Sequence, residues 1–450
     1  MNGALEVCVE IDDDTVPAGT AFLTQRGRGV STAFVYERSY LARSDAYPLD
    51  PELPLYLGQQ AVNGPVGAFS DCAPDRWGRN LITKRLRAEA LREQRTPPTV
   101  TEVDYLTGVS DLTRQGALRF RLPGASEFVH PESEVPKLID LPRLLNASDA
   151  IVRDPDDLNA IKDLLAAGTG TLGGARPKAS VRDADRLFVA KFGKPDDQWE
   201  VMAWEKTALD LAQRAGIDVP HRRLENVDGR GVLLLERFDR DGARRVGYIS
   251  AMTLMRARDG VTADYVELAE HLTDVGSNTS ADLGQLWRRI AFSCLIHNTD
   301  DHLRNHGFLR HGRGWALSPV FDVNPNPDLG EGRQTAIGGA YYPDQEVNGL
   351  MAYASAFRLG DQQARDVLRE VIDATQHWRE VAAGNGVTES DANHFAHAFD
   401  TVRSVAQDAA ITPTSKGARA PSRQRTPKPG HHIDPSPPTP GSPEPPGISL

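Results

Sequence analysis

LGQLWRRIAFSCLIHNTDDHLRNHGF, residues 283–308, changes character twice along its length. Leu283, Leu286, Trp287, Ile290, Cys294 and Ile296 mostly keep helical spacing, which predicts a buried helix ending near His297. The polar run HNTDDHLRN predicts a loop, and FLR and WAL around a His311–Gly314 turn predict a hairpin. Beyond the hairpin lies SPVFDVNP, with Asp322 beside the apolar Phe321. Helix, loop, hairpin and acid therefore follow one another in a fixed order.

Phosphoryl transfer needs parts in this order. A carboxylate sits near the acceptor hydroxyl, an amide oxygen a few residues on holds a divalent cation, and a second carboxylate across a short hairpin completes the metal site. Asp300 and Asn305 are five residues apart, the spacing of the kinase pattern H-R-D-L-x-x-x-N, and Asp322 takes the place of the acid in the D-F-G element. The D-x-x-x-x-N spacing alone is common; the four-part arrangement is not. Two other readings of the stretch stand beside this one. Asp300 and Asp301 can be turn residues with Asn305 capping a helix. His297, Asp300, Asp301, His302 and His306 can form a hydrolase metal site, although Leu303 stands where H-E-x-x-H chemistry wants its glutamate.

The complementary parts lie upstream. GTGTLGGARPKASV, residues 168–181, is a glycine-rich loop whose amides can approach phosphate oxygens, but it fails the P-loop pattern because Gly174 follows Gly173 where a lysine is required. The strand RLFVAKF places Lys191 among apolar neighbours, in a Val-Ala-Lys setting like the kinase V-A-I-K element. WEVMAWEKTALDLAQRAG, residues 199–216, predicts a helix with Glu205 on the same face as Val201, Ala208, Leu209 and Ala212. A carboxylate on an apolar face needs a cation, and Lys191 is the expected partner, with Glu200 as the alternative acid. GVLLLERFDR, residues 231–240, predicts a buried strand running into a polar segment, where Glu236 and Phe238 can offer backbone groups to an adenine.

Composition limits the other possibilities. Hydrophobic content of 40% and charged content of 25% over 450 residues describe a folded chain of two or three packed units. No apolar run is long enough for a membrane helix, and MNGALEVCVEIDDD has no signal core, so a cytoplasmic location is expected. Cys8, Cys72 and Cys294 are too far apart in sequence for a disulfide framework or thiolate metal site. A net charge of −11 argues against a surface that binds nucleic acid throughout. Leu5–Ile11 and Thr32–Tyr36 predict strands and Asp75–Gln94 a helix; the chain turns mainly helical after about Gly247. From Thr412 the composition is Pro-, Ser- and Gly-rich, predicting a disordered tail with a basic first half.

Together these stretches resemble the HipA family, the kinase toxins of bacterial HipA–HipB toxin–antitoxin systems. The resemblance covers about residues 5–400 and rests on PDRWGRNL at 74–81, GGARPKA at 173–179, LLERFDR at 234–240, NTDDHLRNHGF at 298–308 and LSPVFDVNP at 317–325. It implies an α+β, two-lobed protein-kinase-like fold with an extra N-terminal α/β subdomain and a mainly helical C-terminal lobe. The expected divisions are 1–115 for the N-terminal subdomain, 116–246 for the N-lobe-like region, 247–408 for the helical lobe and 409–450 for the tail. ATP and Mg²⁺ are the implied cosubstrates and a serine or threonine of a cellular protein the implied acceptor, in relatives an aminoacyl-tRNA synthetase. Asp300 is implied as catalytic base, Asn305 and Asp322 as Mg²⁺ ligands, and Lys191 as the ATP-phosphate lysine oriented by Glu205. Gly174, Ala175, Arg176 and Lys178 are implied in the phosphate loop, and Glu236 and Phe238 at the adenine. Thr171 stands where relatives carry an autophosphorylated serine, with Thr169 close by. The implied partner is a HipB-like helix-turn-helix antitoxin through which operator DNA is reached; no membrane partner is implied. A small-molecule kinase of the aminoglycoside or choline type shares the D-x-x-x-x-N…D chemistry, and a catalytically silent corepressor module is the third possibility. PDRWGRNL argues against the former and the intact Asp300, Asn305, Asp322 and Lys191 against the latter.

Overall fold

The computed structural model describes residues 2–26, 29–130, 134–168, 176–258 and 260–412. Thr171, Gly174 and Ala175, most of the glycine-rich loop, and the tail from residue 413 lie outside the described residues.

Alternation builds the N-terminal sheet. In the strand Asn2–Ile11, Leu5, Val7 and Val9 are buried while Glu6 and Glu10 point the other way, as period two requires. The five strands run in the order Gln59–Val62, Gly29–Tyr36, Asp14–Arg26, Asn2–Ile11, Leu118–Arg121, antiparallel throughout. The outward acids meet arginines of the edge strand: Arg121 Nε lies 2.5 Å from Glu6, and Arg119 Nη1 lies 3.1 Å from Glu10. The edge strand corrects the expected division at residue 115. Leu118–Arg121 closes this sheet, so the N-terminal unit extends past that point; LRFR is too short to announce itself as a strand.

The helix Arg76–Arg92 begins at Asp75, whose Oδ1 accepts the Gly78 amide at 2.9 Å. An acid at the cap satisfies one of the four orphan amides and complements the helix dipole. Trp77 and Leu81 of its first turns are buried in a second core, against the helices Leu141–Arg153 and Leu158–Ala166 and one face of a four-stranded sheet. That sheet has the order Lys178–Asp183, Arg186–Phe192, Arg230–Glu236, Arg222–Val227, all antiparallel. The last two strands are joined by an Asp228-Gly229 turn with both residues at positive φ (51° and 83°), the conformation a two-residue hairpin favours.

Both faces of this sheet are covered. Phe188, Ala190, Phe192, Val232 and Leu234 enter the second core, while Leu233 and Leu235 join the main core of the molecule. This is why GVLLLE reads as an unbroken apolar run rather than an alternation. Val189 and Lys191 sit on the face of Leu233 and Leu235, beside the helix Val201–Arg214.

The C-terminal part is helical around Trp287, which is fully buried in the helix Thr279–Leu295. His297, at φ +52°, turns the chain out of that helix, and the hairpin Gly307–His311/Gly314–Leu317 follows with Tyr248–Ser250 as a third strand. The helix Val201–Arg214 is tethered to this lobe. Trp204 stacks on Phe395 with ring centroids 4.1 Å apart, and Asn385 bonds Thr207 Oγ1 (3.1 Å) and Asp210 Oδ2 (2.9 Å). The helix Arg403–Ile411 carries regular structure beyond the expected division at 408. No helix among the described residues is long and apolar enough to cross a membrane.

LLERFDR joins the N-terminal unit to the rest. Asp239, fully buried, accepts Arg237 Nη2 at 2.6 Å, Arg240 Nη1 at 2.9 Å and the Gly116 amide at 2.7 Å. Arg237 and Arg240 in turn donate to the Thr113 and Arg114 carbonyls, at 2.9 and 2.7 Å. Burial opposes the charge on Asp239, but Arg237 and Arg240 outweigh it and hold the carboxyl below the usual carboxylate range. Its stabilising contribution is therefore present above the unfolded-state value of ~3.9 and is lost as pH falls through the folded value. Asp239→Ala strands two buried guanidinium groups and is expected to cost about 3–5 kcal/mol at pH 7. Urea unfolding measures this, and a midpoint equal to wild type would remove the joint from the account.

Candidate active site

Lys191 is the meeting point of three distant segments. Its strand neighbours Ala190 and Phe192 face the second core, so the lysine must project from the opposite face, where it is 4% exposed. Its Nζ lies 2.6 Å from Glu205 Oε1 on the helix Val201–Arg214 and 2.9 Å from Asp322 Oδ1 after the hairpin. The acid chosen is Glu205; Glu200 is exposed at the N-terminal end of the helix. Burial works against the Lys191 charge, yet Asp322 and Glu205 more than compensate and hold the ammonium above its ordinary pKa. Asp322 is held below the carboxylate range: burial opposes ionisation, and Lys191, then Lys178, override it. Asp322 has φ +56°, a left-handed conformation that an acid tolerates better than a branched residue does.

The loop after the long helix presents its side chains in two directions. Asp300 is exposed, while Asp301 is buried beneath it. Asp301 accepts His306 Nε2 (2.9 Å), Ser293 Oγ (3.0 Å) and the Tyr265 hydroxyl. Burial disfavours its charge, but His306 and Arg333 hold it well below the carboxylate range. Asp301 is therefore the anchor of the loop, and Asp300 is the acid that the loop presents. Partial desolvation, followed by the charges of Asp322 and Asp301 and against the opposing pull of His302, raises the Asp300 carboxyl. Asp300 and Asp322 thus lie near enough to feel one another.

Asn305 closes the loop. Its Nδ2 donates to the Asp300 carbonyl at 2.9 Å, which fixes the amide, and its Oδ1 is buried without a hydrogen-bond partner. A buried acceptor left unsatisfied is costly, and a cation would satisfy it. Asn305 and the Asp322 carboxylate each offer oxygen of the kind Mg²⁺ takes. The residues present fit the metal.

An apolar cavity lies between the lobes, lined by Val189, Pro220, Leu235 and Phe321 together with Lys191, Glu236 and Phe238. Phe238 packs on Phe321 with ring centroids 5.5 Å apart. The Glu236 amide is already bound to the His221 carbonyl at 2.8 Å, and its carboxylate lies 3.3 Å from Arg186. Of the hydrogen bonds expected from this segment, the Glu236 amide is therefore spent. Arg176, expected in the phosphate loop, bonds both oxygens of Asp197 at 2.9 and 2.8 Å and is more than a third exposed. Lys178 is buried and paired with Asp75. The sequence reading missed Asp75, which resembles any other helix cap, and missed Asp301, whose anchoring depends on Tyr265 and Ser293 from other segments.

Comparison with known proteins places this arrangement. A family model described as the HipA-like C-terminal domain matches residues 170–378. Over 144 residues the chain is 26% identical to "Putative kinase" of Haemophilus influenzae, covering 28% of this chain and 42% of that protein. Over 164 residues it is 28% identical to "Putative kinase Y4dM" of Sinorhizobium fredii, covering 32% of this chain and 37% of that protein. The chain thus aligns with about two fifths of the length of these relatives. A chain of the Shewanella oneidensis MR-1 toxin–antitoxin complex of HipA, HipB and operator DNA superposes with a TM-score of 0.59 at 16% identity, covering 90% of this chain and 96% of that one. Residues 170–378 thus match the HipA-like C-terminal domain model, and the chain as a whole shares the fold of that chain of the Shewanella complex.

Proposed function

We propose that this chain is an ATP-dependent serine/threonine protein kinase acting as a cytoplasmic toxin of the HipA type. The observation that carries the proposal is Lys191 Nζ held at 2.6 Å from Glu205 and 2.9 Å from Asp322, with the orphaned Asn305 oxygen on the neighbouring loop. A charged lysine fixed between a helix acid and a metal-ligand acid is the arrangement that phosphoryl transfer uses to hold a triphosphate.

In this reading the cavity lined by Val189, Leu235 and Phe321 takes the adenine, with the main chain around Phe238 and the Glu236 carbonyl as its polar edge. Lys191 and Lys178 would face the phosphates, and Asn305 and Asp322 would hold Mg²⁺, which when bound would neutralise charge on the phosphate oxygens. Asp300 takes the proton of the acceptor hydroxyl as its oxygen bonds to the γ-phosphorus. The bond from that phosphorus to the β–γ bridging oxygen breaks, and ADP leaves with the electron pair. A raised carboxyl pKa suits a base, since it narrows the gap to the hydroxyl it must deprotonate.

The proposal extends to a HipB-like helix-turn-helix antitoxin as partner, with operator DNA reached through it. The support is the solved neighbour, which is in complex with HipB and operator DNA. It extends also to autophosphorylation at Thr171 as a means of self-inactivation, and to an aminoacyl-tRNA synthetase as a candidate substrate.

Incubating the chain with labelled ATP, Mg²⁺ and bacterial lysate, with mass spectrometry of the labelled proteins, tests the reading. A labelled protein at serine or threonine is expected; label on aminoglycosides or choline instead would mark a small-molecule kinase, and no transfer at all a silent module. Asp300→Ala is expected to lower transfer by roughly 10²–10⁴, the usual worth of a positioned base, and to abolish growth arrest. A fully toxic variant would remove Asp300 from the mechanism. Lys191→Met is expected to weaken ATP binding about tenfold or more, the worth of one charge-assisted contact. Titration with a fluorescent ATP analogue reads this directly, and unchanged affinity would contradict the assignment.

A further inference from the structure

The kinase chemistry leaves PDRWGRNL of the N-terminal unit without a role, yet one of its residues reaches the phosphate side of the cleft. Lys178 and Lys191 are directly opposite one another on adjacent antiparallel strands. Residues so paired project from the same face, and like charges in that position repel. Each lysine needs its own acid. Lys191 has Glu205 and Asp322. Lys178, 1% exposed at its side chain, is paired with Asp75, whose side chain is 6% exposed. Lys191, directly opposite Lys178, lies 2.9 Å from Asp322, so Lys178 stands on the strand next to that acid's partner.

Asp75 is rigidly held. One oxygen caps the helix through the Gly78 amide at 2.9 Å, and the other faces Lys178. Two residues on, Trp77 is buried in the core beneath the same sheet and fixes the end of the helix. Capping alone does not demand this residue, because Asn or Ser caps a helix as well as Asp does. A charge at the cap is required only by the buried ammonium opposite it.

We infer that Asp75 is a positioning residue for phosphoryl transfer: it holds the Lys178 ammonium toward the phosphates of ATP, so that the N-terminal unit completes the active site. The pair repeats the logic of Lys191 and Glu205 with an acid from a different unit of the chain. The inference rests on the kinase reading and deepens it.

The test is a double-mutant cycle in the full-length chain, using MgATP turnover against ATP concentration, with urea unfolding alongside. Asp75→Asn keeps an oxygen for the Gly78 amide but takes the charge from beside the buried Lys178, so its urea midpoint is expected to fall, and turnover is read where the unfolding curve shows the variant folded. Its kcat/KM for ATP is expected to fall roughly ten- to hundredfold, the range for slackening a positioned group. Lys178→Met is expected to lose a similar factor, and the double variant no more than Lys178→Met alone, because Asp75 acts through Lys178. Should Asp75→Asn fold poorly, Asp75→Ser is read in the same way. Wild-type kcat/KM in the Asp75 variant, or losses that multiply in the double variant, overturn this inference and leave the kinase reading standing. A wild-type chain that neither binds nor turns over MgATP overturns the kinase reading, and this inference with it.

Discussion

A buried ammonium cannot stand alone, and much of this molecule is arranged around one. Lys191 lies on a strand whose alternate residues are committed to a hydrophobic core, so its side chain projects from the opposite face, where it is almost wholly buried. The desolvation of a lysine costs several kcal/mol unless oppositely charged groups surround it. Glu205 and Asp322 do so from elements 14 and 131 residues away along the chain. The sheet, the helix Val201–Arg214 and the segment after the hairpin must therefore close on one another for the ammonium to be neutralised. The cleft between them is a product of that closure.

Charge pairing also settles how the N-terminal unit attaches, and it does so twice with different consequences. At Asp239 two guanidinium groups and an amide converge on one carboxylate, and the arginines reach on to carbonyls at 113 and 114. That cluster is sealed and rigid, and its chemistry ends with structure. At Asp75 the acid faces Lys178, which lies opposite Lys191 on the adjacent strand. The same kind of contact thus joins two units in one place and brings a side chain of one unit into the site of the other.

The parts of the site carried by local order were legible in the sequence. The helix before the Asp300 loop, the hairpin, and the apolar strand holding Lys191 all declare themselves by periodicity, and the preference for Glu205 over Glu200 follows from which face of a helix is apolar. Contacts that depend on three-dimensional closure were not legible. A cap aspartate looks the same whether its second oxygen meets water or Lys178. Asp301 differs from Asp300 by one position, and only Tyr265, Ser293 and His306 reveal which acid is the anchor. The strand LRFR is too short for period two to be distinguished from chance, so the first division was drawn before residue 118 rather than after it. Glu236 was expected to offer a backbone group to an adenine, and the sequence does not show that its amide is taken by the His221 carbonyl.

The helix that carries Glu205 is held from behind as firmly as the acid is held in front. Trp204 stacks against Phe395, and Asn385 grips Thr207 and Asp210 one turn further on. Rotating Glu205 out of reach of Lys191 means unstacking those rings and exposing polar groups that Asn385 now satisfies. The acid–lysine contact is thereby as costly to open as a section of hydrophobic interior. The back of the helix is packed against the C-terminal helices, so Glu205 is positioned from behind as well as by Lys191 in front.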